Sequence, residues 1–190
     1  MTSSTRDRIL DTTAELFRRH GYTGTGMKQI VEAAQAPFGS LYHHFPGGKE
    51  QLGEEVIRKA GAMYAELFAT IARQSEDVLE GVDAFFTGAA ETLVASDYAD
   101  ACPIATVALE VASTNEPLRL ATADVFESWI GGLAAYLRLR GGIEEERART
   151  LAIEILAAME GAFVLSRALK SPEPMRLAGA NAVERVREAL

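Results

Sequence analysis

Residues 25–50 read TGMKQIVEAAQAPFGSLYHHFPGGKE, and the spacing of their apolar positions decides the fold. Met27, Ile30, Val31 and Ala34 fall at i, i+3, i+4 and i+7, one face of a short helix, with Thr25 placed to accept a backbone N–H as its N-cap. Gln35-Ala36-Pro37 interrupts it, because Pro37 fits the first turn of a new helix but disfavours helical geometry at Ala36. A second short helix is predicted from Pro37 to about His44, stopped by Pro46 and two glycines. Leu41 and Phe45, four apart, face inward, which turns Phe38, Ser40, Tyr42 and His43 outward or sideways. Short helix, tight turn, short helix with a polar and aromatic outer face is a helix-turn-helix pattern.

Working outward, residues 5–20 carry Ile9, Leu10, Ala14 and Phe17 at helical spacing, with Ser4 or Thr5 to cap the start and Gly21 to end it. A fourth helix is expected from about Lys49, its stripe being Leu52, Val56, Ala60, Met63, Leu67 and Ile71. Further helices are expected over 78–95, 104–113, 117–140, 144–170 and 173–190, with breaks at SDYADACP, TNEP, RGG and SPEP. No stretch alternates as a strand does, so the fold class is all-α. An N-terminal three-helix helix-turn-helix domain over 1–48 is joined to a larger helical domain over 49–190.

Composition agrees with such a division. The 190 residues carry a formal net charge of −8, which by itself argues against a nucleic-acid partner. Yet the first 50 hold six Lys/Arg against five acids and all three histidines, leaving 13 basic and 22 acidic side chains for the rest. The two regions are chemically different. One cysteine, Cys102, makes no internal disulfide and no metal site. No apolar run is long enough to cross a bilayer, and the polar start MTSSTRDRIL is no signal segment, so a cytoplasmic location without membrane contact is expected.

The stretch from Thr5 to Leu67 resembles the DNA-binding region of TetR-type transcriptional regulators. RILDTTAELFRRHGYTGTGMKQIVEAA, then GSLYHHF, then GGKEQL occur in that family's order and spacing. ACPIATVALEVAS together with PGGKEQL is similar to the LmrA-like branch, whose members respond to drugs or plant-type aromatic compounds. Two positions depart from the pattern. Gln35 stands where the family usually has Gly in the turn, so a left-handed residue there carries modest strain. Phe38 stands where Lys or Arg is frequent, which exchanges a phosphate or guanine contact for a side chain suited to a thymine methyl.

A recognition helix brings short side chains to base edges and donors to flanking phosphates. Gly39 lets the backbone approach closely, Ser40 pairs with either kind of base edge, and Pro37 and Phe38 open the helix at the groove. Tyr42, His43 and Lys49 are the expected phosphate clamps, with Thr25 and Lys28 holding the opposite backbone. The resemblance implies the same roles at Thr25, Tyr42, His43 and Lys49. His44, beside Phe45 at the helix end, reads instead as a structural histidine.

In the acidic region, Phe85, Phe86, Cys102, Trp129, Tyr136, Met159 and Phe163 are the candidate lining of a cavity for a small inducer. The helix over 144–170 is apolar on more than one face and so needs partners on more than one side. Leu151, Ile155, Ala158, Gly161, Ala162 and Leu165, with Val183 and Val186 of the last helix, are the expected homodimer surface. The resemblance likewise implies a two-fold dimer built from the last two helices of each subunit.

The expected function is a ligand-responsive, DNA-binding regulator, a repressor released from a pseudo-palindromic double-stranded operator by a small apolar or aromatic molecule, with no cofactor and no metal. Two alternatives are an all-helical enzyme and a helical interaction adaptor. The usual di-iron bundle needs Glu-x-x-His, which none of His20, His43 and His44 supplies. Neither Gly-x-Ser-x-Gly, nor a P-loop, nor zinc-ligand spacing occurs. An adaptor leaves GSLYHHF without a role.

Overall fold

The computed structural model describes residues 4–190; Met1, Thr2 and Ser3, the start of the polar N-terminal stretch, lie outside the described residues. Among those described, regular structure is helical throughout: α1 (Thr5–His20), α2 (Met27–Ala33), α3 (Phe38–His44), α4 (Gly48–Gln74), α5 (Val78–Ala95), α6 (Pro103–Val111), α7 (Glu116–Gly141), α8 (Glu145–Leu169) and α9 (Glu173–Arg187). The chain forms two compact units, one of residues 1–62 and 102–125, the other of 63–101 and 126–190. Each is therefore built from two separated stretches of sequence, and α4 and α7 contribute to both.

In the first unit α1 touches α2, α3 and α6. Its core side chains are Ile9, Leu10, Phe17, Ile30, Val31, Leu41, Phe45, Leu52, Val56 and Ile57, with Ile104, Val107, Val111 and Leu118 from the distant segment. The helix ends obey local chemistry. Ser4 Oγ accepts the Asp7 N–H at 3.1 Å as the N-cap of α1, satisfying a donor that the first turn leaves free. Gly21 ends α1 at φ 72°, ψ 178°, a conformation open essentially to glycine alone. Lys59–Asp11 at 2.6 Å and an Arg6–Glu55 pair join α1 to α4. Gly61 lets α4 approach α7 closely, since a Cβ there would stand 2.6 Å from both Val125 methyls.

In the second unit α5, α8 and α9 touch one another around Val82, Phe86, Leu93, Leu137, Leu151, Ile155, Met159, Met175 and Val186. Arg140 donates to the carbonyls of Ala72, in the last turn of α4, and of Ser75 and Glu76 just beyond it, meeting acceptors that the helix end leaves open. Asp77 caps α5 by accepting from the Leu79 and Glu80 amides at 2.8 and 2.9 Å.

Two expectations about faces are corrected. Met63 and Leu67, assigned to the buried stripe of α4, are exposed. The inward line passes from Ala60 to Tyr64, Phe68 and Ala72 in steps of four, and such steps drift around a helix of 3.6 residues per turn. On α8, Leu151, Ile155 and Ala162, and on α9 Val186, are buried within their own unit. They are monomer core, and Val183 is partly buried against it. Of the expected dimer surface only Ala158, Gly161 and Leu165 are exposed. They share that exposed side with Ile153, Ala157, Val164 and Leu169, and on α9 Leu177 is exposed as well.

Candidate nucleic-acid interface

The turn between α2 and α3 is held from several sides. Ala36 N–H returns to the Val31 carbonyl at 2.9 Å, and Gln35 adopts φ 49°, the left-handed geometry expected of the position where it replaces glycine. Arg8 Nε of α1 donates to the Ala34 carbonyl at 3.5 Å. Pro37 takes an extended conformation as the N-cap of α3, and Ser40 N–H donates to its carbonyl at 2.9 Å. α3 thus begins one residue later than the sequence pattern places it.

Leu41 is the fully buried residue of α3, and Phe45, just past its end, is buried beside it. Anchoring at these two positions leaves Pro37, Phe38, Gly39, Tyr42 and His43 exposed together, with Ser40 half-buried. Phe38 and Tyr42 are each 48% exposed, their ring centroids 5.7 Å apart and tilted by 47°. His44 is half-buried, its ring edge-on to His43 and to Phe45. That places His44 between surface and core, as a structural histidine would be. Lys28 on α2 extends into solvent and pairs loosely with Glu32 at 3.8 Å.

Thr25 is corrected on both counts. It is fully buried, its hydroxyl donates to the Gly21 carbonyl at 2.7 Å, and its N–H donates to the Tyr22 carbonyl. The N-cap of α2 is Gly26, whose N–H meets the Gln29 side chain at 3.4 Å. Thr25 fastens the loop after α1 and presents no hydroxyl to a phosphate.

Lys49 lies in the first turn of α4, and its ammonium sits 4.2 Å from the centroid of the Tyr22 ring, within cation–π range. Burial holds that ammonium below the usual lysine value, and the Glu110 carboxylate acts in the opposite sense. Burial also pushes the Tyr22 phenol up, with the Glu50 charge adding to the effect. Glu110, on α6, accepts the Thr23 N–H at 2.6 Å. Asn115 donates to Glu50 at 2.7 Å. Tyr22, Glu110 and Asn115 therefore position the loop and the α4 start that carry Lys49. Nothing in their spacing announces this, because residue 110 meets residue 23 only once the chain has folded.

The candidate inducer residues are partly gathered. Phe86, Tyr136 and Met159 belong to the core of the second unit, with Phe85 and Phe163 packed against it. Phe68 is edge-on to both Phe85 and Tyr136. Trp129 contacts Tyr64 and Phe126 in a separate aromatic group. Cys102 is not brought to them: it is buried in the first unit as the N-cap of α6, its sulfur accepting the Ala105 N–H at 3.4 Å. An open hollow in the second unit is lined by other residues, among them Ala134, Arg138, Glu145 and Arg149. Among the described residues no three His, Cys, Asp or Glu side chains converge as metal ligands, and no helix is long and apolar enough to cross a membrane.

Residues 9–56 match the family described as bacterial regulatory proteins of the tetR family, and residues 78–181 match the C-terminal domain described as transcriptional regulator LmrA/YxaF-like. The chain is 36% identical over 179 residues to the HTH-type transcriptional regulator YxaF of Bacillus subtilis, covering 93% of each chain. It is 33% identical over 170 residues to LmrA of the same organism, covering 90% of each. Among solved structures, a regulatory protein TetR from Rhodobacter sphaeroides superposes with a TM-score of 0.86 at 21% identity, over 96% of this chain and 99% of that one.

Proposed function

Because the chain belongs to the TetR family of bacterial regulators, in its LmrA/YxaF-like branch, and is a DNA-binding transcriptional regulator, we propose that it acts as a homodimeric repressor. In this proposal each copy places α3 in the major groove of one half of a pseudo-palindromic operator. A small apolar or aromatic molecule releases it. The observation that carries the DNA-facing assignment is the joint exposure of Pro37, Phe38, Gly39, Tyr42 and His43 on a helix anchored by Leu41 and Phe45. Ser40 serves a base edge, while Tyr42, His43, Lys49 and Lys28 serve phosphates.

Dimerisation is supported by the exposed apolar side of α8 and α9, where Ile153, Val164, Leu165, Leu169 and Leu177 have no cover within the unit. Small residues at Ala157, Ala158 and Gly161 on that side permit a close helix approach. A two-fold pair would set its recognition helices about 34–36 Å apart, one turn of B-DNA. The inducer is assigned to the aromatic core around Phe85, Phe86, Tyr136, Met159 and Phe163. To release DNA it must favour the non-binding spacing strongly: a swing from 1:99 to 99:1 needs about 5.5 kcal/mol of differential affinity. The site of action is the cytoplasm, where operator DNA is found.

The test is a titration of the purified protein against DNA flanking its own gene, at two salt concentrations, with and without aromatic drug-like compounds. The expected result is one fragment bound more tightly than random DNA, with affinity falling steeply as salt rises. Binding no tighter than to random DNA at either salt rejects the repressor assignment. Lys49→Ala and Tyr42→Phe test the phosphate roles, and wild-type affinity in both rejects those roles alone.

A further inference from the structure

We propose that the recognition helix reads its operator through the C5-methyl groups of thymine, with Phe38 as the contacting side chain and Tyr42 as its brace, a proposal that rests on the DNA-binding function above. Between Lys28 and Lys49 the chain has no Lys or Arg. α3 therefore lacks the Arg or Lys that pairs bidentately with guanine O6 and N7, the commonest specific contact in the major groove. Its outward side chains are Phe38, Ser40, Tyr42 and His43, and no acid lies on the helix. Phe38 has no hydrogen-bonding group, so it distinguishes bases only by what apolar surface they offer. Among unmodified bases the thymine methyl is the apolar group displayed on the major-groove edge.

The geometry suits that use. Phe38 is the first residue of α3, the end from which a recognition helix touches base edges, and half of its surface is open to solvent. The Tyr42 ring, one turn on, backs it at 5.7 Å, which limits the rotamers Phe38 samples and lowers the ordering cost of contact. Gly39 beside it has open space where a Cβ would stand, so no side chain there holds the helix off the groove. The Tyr42 hydroxyl remains for a phosphate. Covering the outer face of Phe38 with a methyl removes from water an apolar surface that the protein itself leaves uncovered.

The experiment uses the full-length protein and duplexes selected from a random pool, then resynthesised with each thymine replaced in turn by deoxyuridine, symmetrically in both half-sites. Uracil removes only the methyl. At one position the substitution is expected to weaken wild-type binding about tenfold, the loss of one buried methyl per half-site. A 5-methylcytosine–guanine pair there should bind better than cytosine–guanine. Phe38→Ala, at an exposed position, should retain the wild-type circular dichroism spectrum and bind thymine and uracil duplexes equally. Phe38→Lys should shift the selected sequence toward guanine. If wild type binds every uracil duplex as tightly as its thymine counterpart, or if Phe38→Ala keeps the full methyl discrimination, the proposal is overturned while the regulator assignment stands. Failure to select any sequence over random DNA overturns both.

Discussion

Helices α3 and α8 both expose apolar side chains, and their sequences disclose it very unequally. In α3 only Leu41 is buried, the helix is seven residues long, and proline and glycine bracket it. One inward position fixes the orientation of all the others, so the exposure of Phe38 and Tyr42 was legible before any coordinates. In α8 apolar residues occupy every side, and periodicity there has two solutions of similar quality. The observed one buries Leu151, Ile155, Met159, Ala162 and Ser166 and exposes Ile153, Val164, Leu165 and Leu169. The difference teaches that amphipathic spacing orients a helix only when one side is polar; otherwise the partners decide, and they are not written in the helix itself.

The sharpest way to break that comparison is to truncate leucines on the two sides of α8. Leu151→Ala should cost about 3 kcal/mol of unfolding free energy, as emptying a packed core site does, measured by urea denaturation. Leu165→Ala should leave the subunit core intact and weaken self-association, measured by sedimentation across a concentration series. Equal effects on unfolding would mean that the two sides are not distinct. Next in size is Gly21→Ala in the first unit. Its φ and ψ lie where a Cβ is strained by about 1–3 kcal/mol, and the added atom would fall 1.7 Å from a Glu110 carboxylate oxygen. A loss of about 2 kcal/mol is expected, and Glu110→Ala should not rescue it, because the backbone strain remains when the carboxylate is gone.

Two smaller changes should stabilise. Ser166 is fully buried in α8 and its hydroxyl has no hydrogen-bond partner among the described residues, so Ser166→Ala should gain about 1 kcal/mol, read as a rise in Tm. Gln35→Gly, relieving the left-handed turn, should gain about 0.5 kcal/mol after the extra entropy of glycine in the unfolded chain is deducted. A Gln35→Gly protein no more stable than wild type would show that the turn holds Gln35 without strain.

Legibility followed the same line elsewhere. Helix ends with local signals were readable: the Ser4 cap and the Gly21 stop are decided by neighbours within four residues. Thr25 was misread because two residues, Thr25 and Gly26, both suit an N-cap. The choice turned on the Gly21 carbonyl, which only the folded loop brings within 2.7 Å. Phe85, Phe86, Tyr136, Met159 and Phe163 were recognisable as apolar and large, and the structure gathers them in or against one core, whereas Cys102 caps α6 in the first unit. Glu110 escaped notice altogether, since a single acid in an apolar helix gives no hint that it meets an amide 87 residues earlier.

That last contact bears on how such regulators are recombined. A graft that carries only residues 1–48 onto a foreign sensor leaves behind α6, and with it the acceptor for the Thr23 amide and the charge beside Lys49. It also leaves behind Ile104, Val107, Val111 and Leu118 of the same compact core. The transplantable cassette is a pair of segments, 1–62 and 102–125, whose inner faces have to be exchanged together. Chimeras cut at a single junction would inherit a recognition helix without its full support.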